Sequence, residues 1–169
     1  PLGGGAVWVD EDQLSYAIVA PLGLAPLRHV DWYGWALAPA IATFRAFRLE
    51  VKRCAEDLWF ARRKIAGSGA ATIGGCAVVA SSFLLQFPRA RFAASVATPD
   101  PGFRAALQET LGTAMTDWSS HAVPPDEDAL GAAFRAALRD TLGWNAIASS
   151  PANDECAAIE TWREELTAP

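Results

Sequence analysis

The chain has 169 residues, half of them apolar and a fifth charged, with a net charge of −5. That size and balance describe one folded domain, 1–169, with a sizeable core, and no apolar run is long enough for a membrane span. Overall acidity without a long basic stripe excludes the usual footprint of a nucleic-acid binder. Three cysteines, Cys54, Cys76 and Cys156, are odd in number and widely spaced, which favours neither a disulfide framework nor a zinc site and fits a reducing cytoplasm.

In chain order, a glycine run, Gly3-Gly4-Gly5, leads into a short strand at Ala6–Val9. A turn through Asp10–Gln13 and a strand at Leu14–Ala20 follow, with apolar residues alternating against their neighbours. Pro21, Gly23 and Pro26 make a loop, and Asp31 is placed to cap a helix reaching about Leu49, which Pro39 kinks or divides. Strands are predicted at Glu50–Cys54, Leu58–Phe60 and Lys64–Ile73. Gly74-Gly75 turns the last of these into a hairpin with Ala77–Phe87. A short helix spans Pro88–Val96 and another Phe103–Leu111. A polar loop runs from Ser119 to Asp128. Asp126 or Asp128 caps a helix over Ala129–Leu142, which Gly143 ends. A short strand at Trp144–Ala148 and a helix from Asn153 to about Leu166 complete the pattern. Strands and hairpins with helices beside them, rather than strict alternation, predict an α+β fold with a mixed, largely antiparallel sheet flanked by helices.

Charge is unevenly spread. Residues 1–98 carry ten basic and seven acidic side chains, residues 99–169 four and twelve, and seven of the fourteen cations lie between Arg45 and Lys64. Such a patch draws phosphate or an acidic partner, or is simply a solvated face. Lys52 and Lys64 are the chain's two lysines, and Lys64 directly follows Arg62 and Arg63 and precedes the small residues Ala66-Gly67-Ser68-Gly69. A compact ammonium beside backbone that a ligand can approach closely suits an acyl or phosphate oxygen. The N-terminal glycines leave backbone N–H groups open to an anion, or belong to a flexible terminus or a tag remnant before which the natural start is missing. His29 and His121 are isolated and read as structural. Trp32, Trp35 and Trp59 read as core or pocket walls.

Taken together, Gly3-Gly4-Gly5-Ala6-Val7-Trp8-Val9-Asp10 and Glu56-Asp57-Leu58 through Arg63-Lys64-Ile65-Ala66-Gly67-Ser68 resemble the lipoate–protein ligase A branch of the biotin/lipoate ligase superfamily. The likeness continues through Ser82-Phe83-Leu84-Leu85 to the C-terminal helices, in family order. It implies a class II synthetase/biotin ligase-like fold and an N-terminally truncated catalytic domain. It also implies a two-step reaction. Lipoate, octanoate or a similar acid attacks the α-phosphate of ATP to give acyl-AMP, and a lysine of a lipoyl-carrier domain then takes the acyl group. In that likeness Lys64 is the catalytic cation. Gly5, Ala6, Val7 and Trp8 meet the nucleotide. Gly4, Gly67, Ser68 and Gly69 line the acyl site, and Asp57 holds Mg²⁺ or orients Lys64. No nucleic acid or membrane enters the reaction.

The chain departs from the family pattern at Val9, where histidine is frequent, at Glu56, which replaces asparagine, and at Ala80-Ser81-Ser82, where His-Gly is common. Two other readings stand beside the ligase. One is an acyltransferase that uses a Cys54 thioester without ATP, although a packed, inert Cys54 is the expectation. The other is a binding relative that has kept the fold and lost the chemistry.

Overall fold

The computed structural model describes residues 8–167. Its longest pairing joins β1 (Gln13–Pro21) to β6 (Cys76–Leu84), antiparallel, in register from Gln13 opposite Leu84 to Pro21 opposite Cys76. β5 (Gly69–Ile73) pairs with the other edge of β6 through the Gly74-Gly75 turn. Both glycines have positive φ, as a tight two-residue hairpin turn demands. This gives a three-stranded sheet in the order β1-β6-β5.

A second sheet, β2-β3-β4, is built from Lys52–Cys54, Asp57–Phe60 and Arg63–Ala66, again antiparallel. A bulge between Leu58 and Trp59 shifts its register, so that Leu58 faces Ala66 while Trp59 faces Lys64. The single strand expected over Lys64–Ile73 is therefore two. The chain leaves one sheet at Ala66 and enters the other at Gly69. A lone parallel bridge joins Lys64 to Met115.

The helix expected from Asp31 divides where Pro39 requires. α1 (Trp32–Ala36) ends at Leu37, and α2 (Ala38–Ala46) restarts with Pro39 in its first turn, where the missing N–H costs nothing. Asp31 precedes α1 but does not cap it through its side chain; its carboxylate pairs with Arg28 at 2.8 Å. α3 (Arg89–Ser95) and α4 (Pro101–Ala114) follow. α5 (Glu127–Leu142) is capped by Asp126, whose carboxylate accepts from Ala129 N. α6 spans Asn153–Thr167.

Two expected strands, Ala6–Val9 and Trp144–Ala148, are not found among the described residues. Trp8 and Val9 are in no strand, and Ala6 and Val7 lie outside the described residues. Trp144–Ala148 is unpaired. After the left-handed Gly143, Trp144 N donates back to Leu138 O and its indole packs on Trp35 at 5.6 Å. Trp144 is used there to close the helix.

The core is aromatic. Phe44, Phe83 and Trp118 are fully buried and in mutual ring contact, with Leu37, Leu58, Ile65 and Leu130 around them. A second cluster of Ile18, Trp32, Ala36, Ala77, Val79 and Leu138 fills the space between the large sheet and the helices. Leu58 and Ile65 matter most for the site, because they pin the β3–β4 hairpin to the core. Among the described residues, no helix is long and apolar enough to cross a membrane.

Candidate active site

Asp57 opens β3 and Lys64 lies on β4, and their side chains meet, Nζ to Oδ2 at 2.8 Å. Lys64 is a third exposed and Asp57 a fifth, whereas Arg45, Arg48, Lys52, Arg53 and Arg62 nearby are exposed. Arg63 is half-buried like Lys64, so it is the ion pair with Asp57 that sets Lys64 apart. It also lies against Gly67. A Cβ on that residue would sit 3.3 Å from both Cε and Nζ of Lys64 and 3.8 Å from Asp57 Oδ1. Any larger residue here would crowd the end of the lysine, which glycine leaves clear.

The backbone of Lys64 is tied from the opposite direction. Thr116 N donates to Lys64 O at 2.9 Å, from the segment that follows α4. Thr116 is buried and its hydroxyl hydrogen-bonds His121 Nε2 at 2.8 Å, while the His121 ring lies edge-on to Phe60 at 4.6 Å. His121 is thus a support of the hairpin, in keeping with the structural role read for it. The same segment is fastened by Asp117, which accepts from Phe87 N, Ser120 N and the Ser119 hydroxyl. Burial alone would raise the Asp117 carboxyl, but these donors outweigh it and hold it below the ordinary range.

Where β4 gives way to β5, side chains replace the ladder. Ser81 Oγ, on β6, donates to Gly67 O at 2.9 Å and accepts from Ser68 Oγ at 3.1 Å. Gly69 faces Ala80 across the β5–β6 pairing. Tyr16 stands opposite Ser81 on β1. Its hydroxyl is buried without a hydrogen bond of normal geometry, and burial pushes the phenol up, the neighbouring Ser81 hydroxyl acting against it. Of the predicted acyl-site residues, Gly67 lies beside Lys64 and Asp57, while Ser68 and Gly69 meet Ser81 and Ala80 of β6. Gly4, Gly5, Ala6 and Val7 lie outside the described residues.

Trp8 is the described end of the predicted nucleotide segment. Its indole N–H donates to Asp10 Oδ2 at 2.6 Å, its ring meets Phe92 edge-on, and the Arg91 guanidinium lies over it at 5.3 Å. Arg91 was legible only as one cation in a short helix. No spacing in the sequence ties it to Trp8.

Cys54 corrects the expectation of a packed thiol. It is exposed, because β2 is the edge of the small sheet and none of its three residues is covered. It faces Asp57 in the β2–β3 register. Cys76 is half-buried. Of the tryptophans read as core or pocket walls, Trp32 is buried, with its N–H bonded to Pro26 O, while Trp35 and Trp59 are half-buried.

For magnesium, the protein offers little by itself. Asp57 is engaged with Lys64, and among the described residues no three acidic, histidine or cysteine side chains gather as a metal would need. A single carboxylate matches only the usual magnesium arrangement in which substrate phosphates and water complete the octahedron.

A family model described as the lipoyl protein ligase A/B catalytic domain matches residues 2–138. No curated protein matches. Among solved structures, the chain is similar to one of the archaeal lipoylation system of Thermoplasma acidophilum, a bi-partite lipoate protein ligase and its E2 lipoyl domain. There the TM-score is 0.84 at 18% identity, over 96% of this chain and 64% of the other. It is similar to a putative lipoate protein ligase of the same organism with bound lipoic acid, at TM-score 0.76 and 14% identity, over 97% and 65% of the two chains. A lipoate-protein ligase A bound with ATP gives 0.78 at 16% identity, over 99% and 68%. At these identities the likeness establishes the fold. The chain spans about two thirds of the length of those relatives.

Proposed function

The chain belongs to the lipoyl protein ligase A/B catalytic domain family, and from that premise we propose that it activates lipoate, octanoate or a similar acid with ATP and passes the acyl group to a lysine of a carrier domain. In the first step a carboxylate oxygen bonds to the α-phosphorus and the bond to the pyrophosphate oxygen breaks. In the second, the carrier amine bonds to the acyl carbon, AMP departs and the amine loses a proton.

Both steps gather negative charge on carboxylate and phosphate oxygens, so a fixed cation there lowers the barrier. Lys64 supplies it. Asp57 holds the ammonium in place before the substrates arrive, or would help to hold Mg²⁺, which would supply positive charge against the phosphates. Gly5, Ala6, Val7 and Trp8 meet the nucleotide, and Gly4, Gly67, Ser68 and Gly69 line the acyl site. The observation that carries this reading is the half-buried Lys64–Asp57 pair seated on Gly67, inside the matched segment.

Mass spectrometry of a reaction containing ATP, magnesium and lipoate or octanoate tests it. Wild type is expected to form acyl-AMP, and Lys64→Ala to form it at least a hundredfold more slowly. No product from wild type, or equal product from both, would overturn the assignment. One observation favours keeping the transferase in view: the Cys54 thiol is open to solvent beside Asp57. A thioester on Cys54 after incubation with an acyl-loaded carrier and no ATP would favour that chemistry instead.

A further inference from the structure

We infer that Ser81 is a positioning residue for Lys64, acting through the backbone of Gly67. Gly67 lies between the last pairing of the small sheet, Leu58 with Ala66, and the first of the large sheet, Gly69 with Ala80. It is in neither ladder, and its carbonyl is bonded by the Ser81 hydroxyl at 2.9 Å. Ser81 is 7% exposed and sits within the β1–β6 pairing, so its Oγ is delivered from a rigid strand. Both of its hydrogen-bonding roles are used, the proton toward Gly67 O and a lone pair for Ser68 Oγ. The buried Tyr16 hydroxyl opposite leaves Ser81 enclosed on that side as well.

The consequence falls on the ammonium. Gly67 faces both members of the ion pair: a Cβ on it would lie 3.3 Å from Cε and Nζ of Lys64 and 3.8 Å from Asp57 Oδ1. Thr116 fixes the Lys64 backbone, but it does not set how far the side chain advances. Gly67 borders the space that the side chain occupies, and Ser81 is the side chain that bonds its carbonyl. A displacement on the order of 1 Å at such a point is enough to cost about a hundredfold in rate. The role for Ser81 rests on the reading of Lys64 as the substrate-facing cation, but the position of Lys64 can be measured without any reaction.

With two lysines in the chain, lysine-selective ¹⁵N labelling gives two side-chain Nζ signals, and Lys52→Arg assigns them. Ser81→Ala is expected to move the Lys64 signal toward that of the exposed Lys52. Ser81→Thr, which keeps the hydroxyl, is expected to hold it. Ser81→Cys, close in volume and a weak donor, is expected to move it as alanine does, and it serves if the alanine variant does not fold. Ser95→Ala, on the distant α3, is expected to leave it in place. A folded Ser81→Ala or Ser81→Cys protein with the Lys64 signal unmoved would overturn the inference, even if its stability had fallen. In the acyl-AMP assay the same variants are expected to lose kcat by roughly ten- to a hundredfold with KM for ATP little changed. Wild type that makes no acyl-AMP while the signal still moves would sink the ligase reading and leave the positioning role standing.

Discussion

The backbone N–H of Thr116 donates to the carbonyl of Lys64 across 2.9 Å, so a residue fifty-two positions downstream anchors the strand that carries the ammonium. The side chain of Lys64 is then free to answer to what lies beneath it, which is Gly67.

Substituting Gly67 with alanine isolates that dependence. The added Cβ meets the far end of a flexible lysine at 3.3 Å rather than backbone, so the fold has little to lose. Gly67→Ala is expected to unfold within about 1 kcal/mol of wild type. It is expected to form acyl-AMP more slowly, by up to about tenfold, because the Lys64 terminus must give way. Denaturation and turnover measured on the same preparation check both halves. Unchanged turnover would mean that the ammonium tolerates the displacement.

The β3–β4 turn predicts a gain. Ala61 and Arg62 both have positive φ, 48° and 65°, in a two-residue hairpin loop that normally selects Asn-Gly. Each non-glycine residue in this region costs of order 1 kcal/mol. The double substitution Ala61→Asn, Arg62→Gly is therefore expected to raise stability by about 1–2 kcal/mol in urea denaturation. A loss would show that contacts of the two native side chains outweigh the strain.

Asp117 sets an acid limit. Its carboxyl is held below the ordinary value in the folded chain, so the stability it lends is fully present above about pH 4. That stability drains away as pH falls through the lower folded value. Asp117→Asn, which cannot accept all three donors as a carboxylate does, is expected to cost about 1–3 kcal/mol at pH 7. The deficit should shrink as the wild-type carboxyl becomes protonated. Chemical denaturation at pH 7 and pH 3 measures the difference, and a deficit independent of pH would assign the cost to packing.

The ends of α5 offer a matched pair. Gly143 adopts φ 71° with open space where a Cβ would go, so Gly143→Ala is expected to cost about 1 kcal/mol through backbone strain. Asp126→Ala is expected to cost about as much by removing the acceptor for Ala129 N. The two sites lie far apart, so the double variant should lose the sum.

Punctuation residues carried most of the fold into view. Pro39 marked the break between α1 and α2, Gly74-Gly75 the β5–β6 hairpin, and Asp126 and Gly143 the limits of α5. Each acts on its own backbone, and so it can be read without knowing the neighbours. The misreadings depended on neighbours. Residues 64–73 look like one strand, because the change of sheet at Gly67 and Ser68 is directed by Ser81, thirteen residues beyond Ser68. Cys54 looks like core until β2 is seen to lie at a sheet edge. Trp144 to Ala148 has strand-forming residues and no strand to pair with. At the site, the Arg62-Arg63-Lys64 run followed by small residues pointed to the cation, whereas Asp57 came into view only through the family resemblance. Ser81 was legible only as a departure from the family pattern, and Arg91 only as a helix cation, since each acquires its role through contact with a distant segment.

Because β4 and β5 are halves of one run of chain that changes sheet within two residues, the ammonium and the larger sheet share a covalent joint. Gly67 and Ser68 are the two residues of backbone that make this joint, and both are tied to Ser81 of the larger sheet.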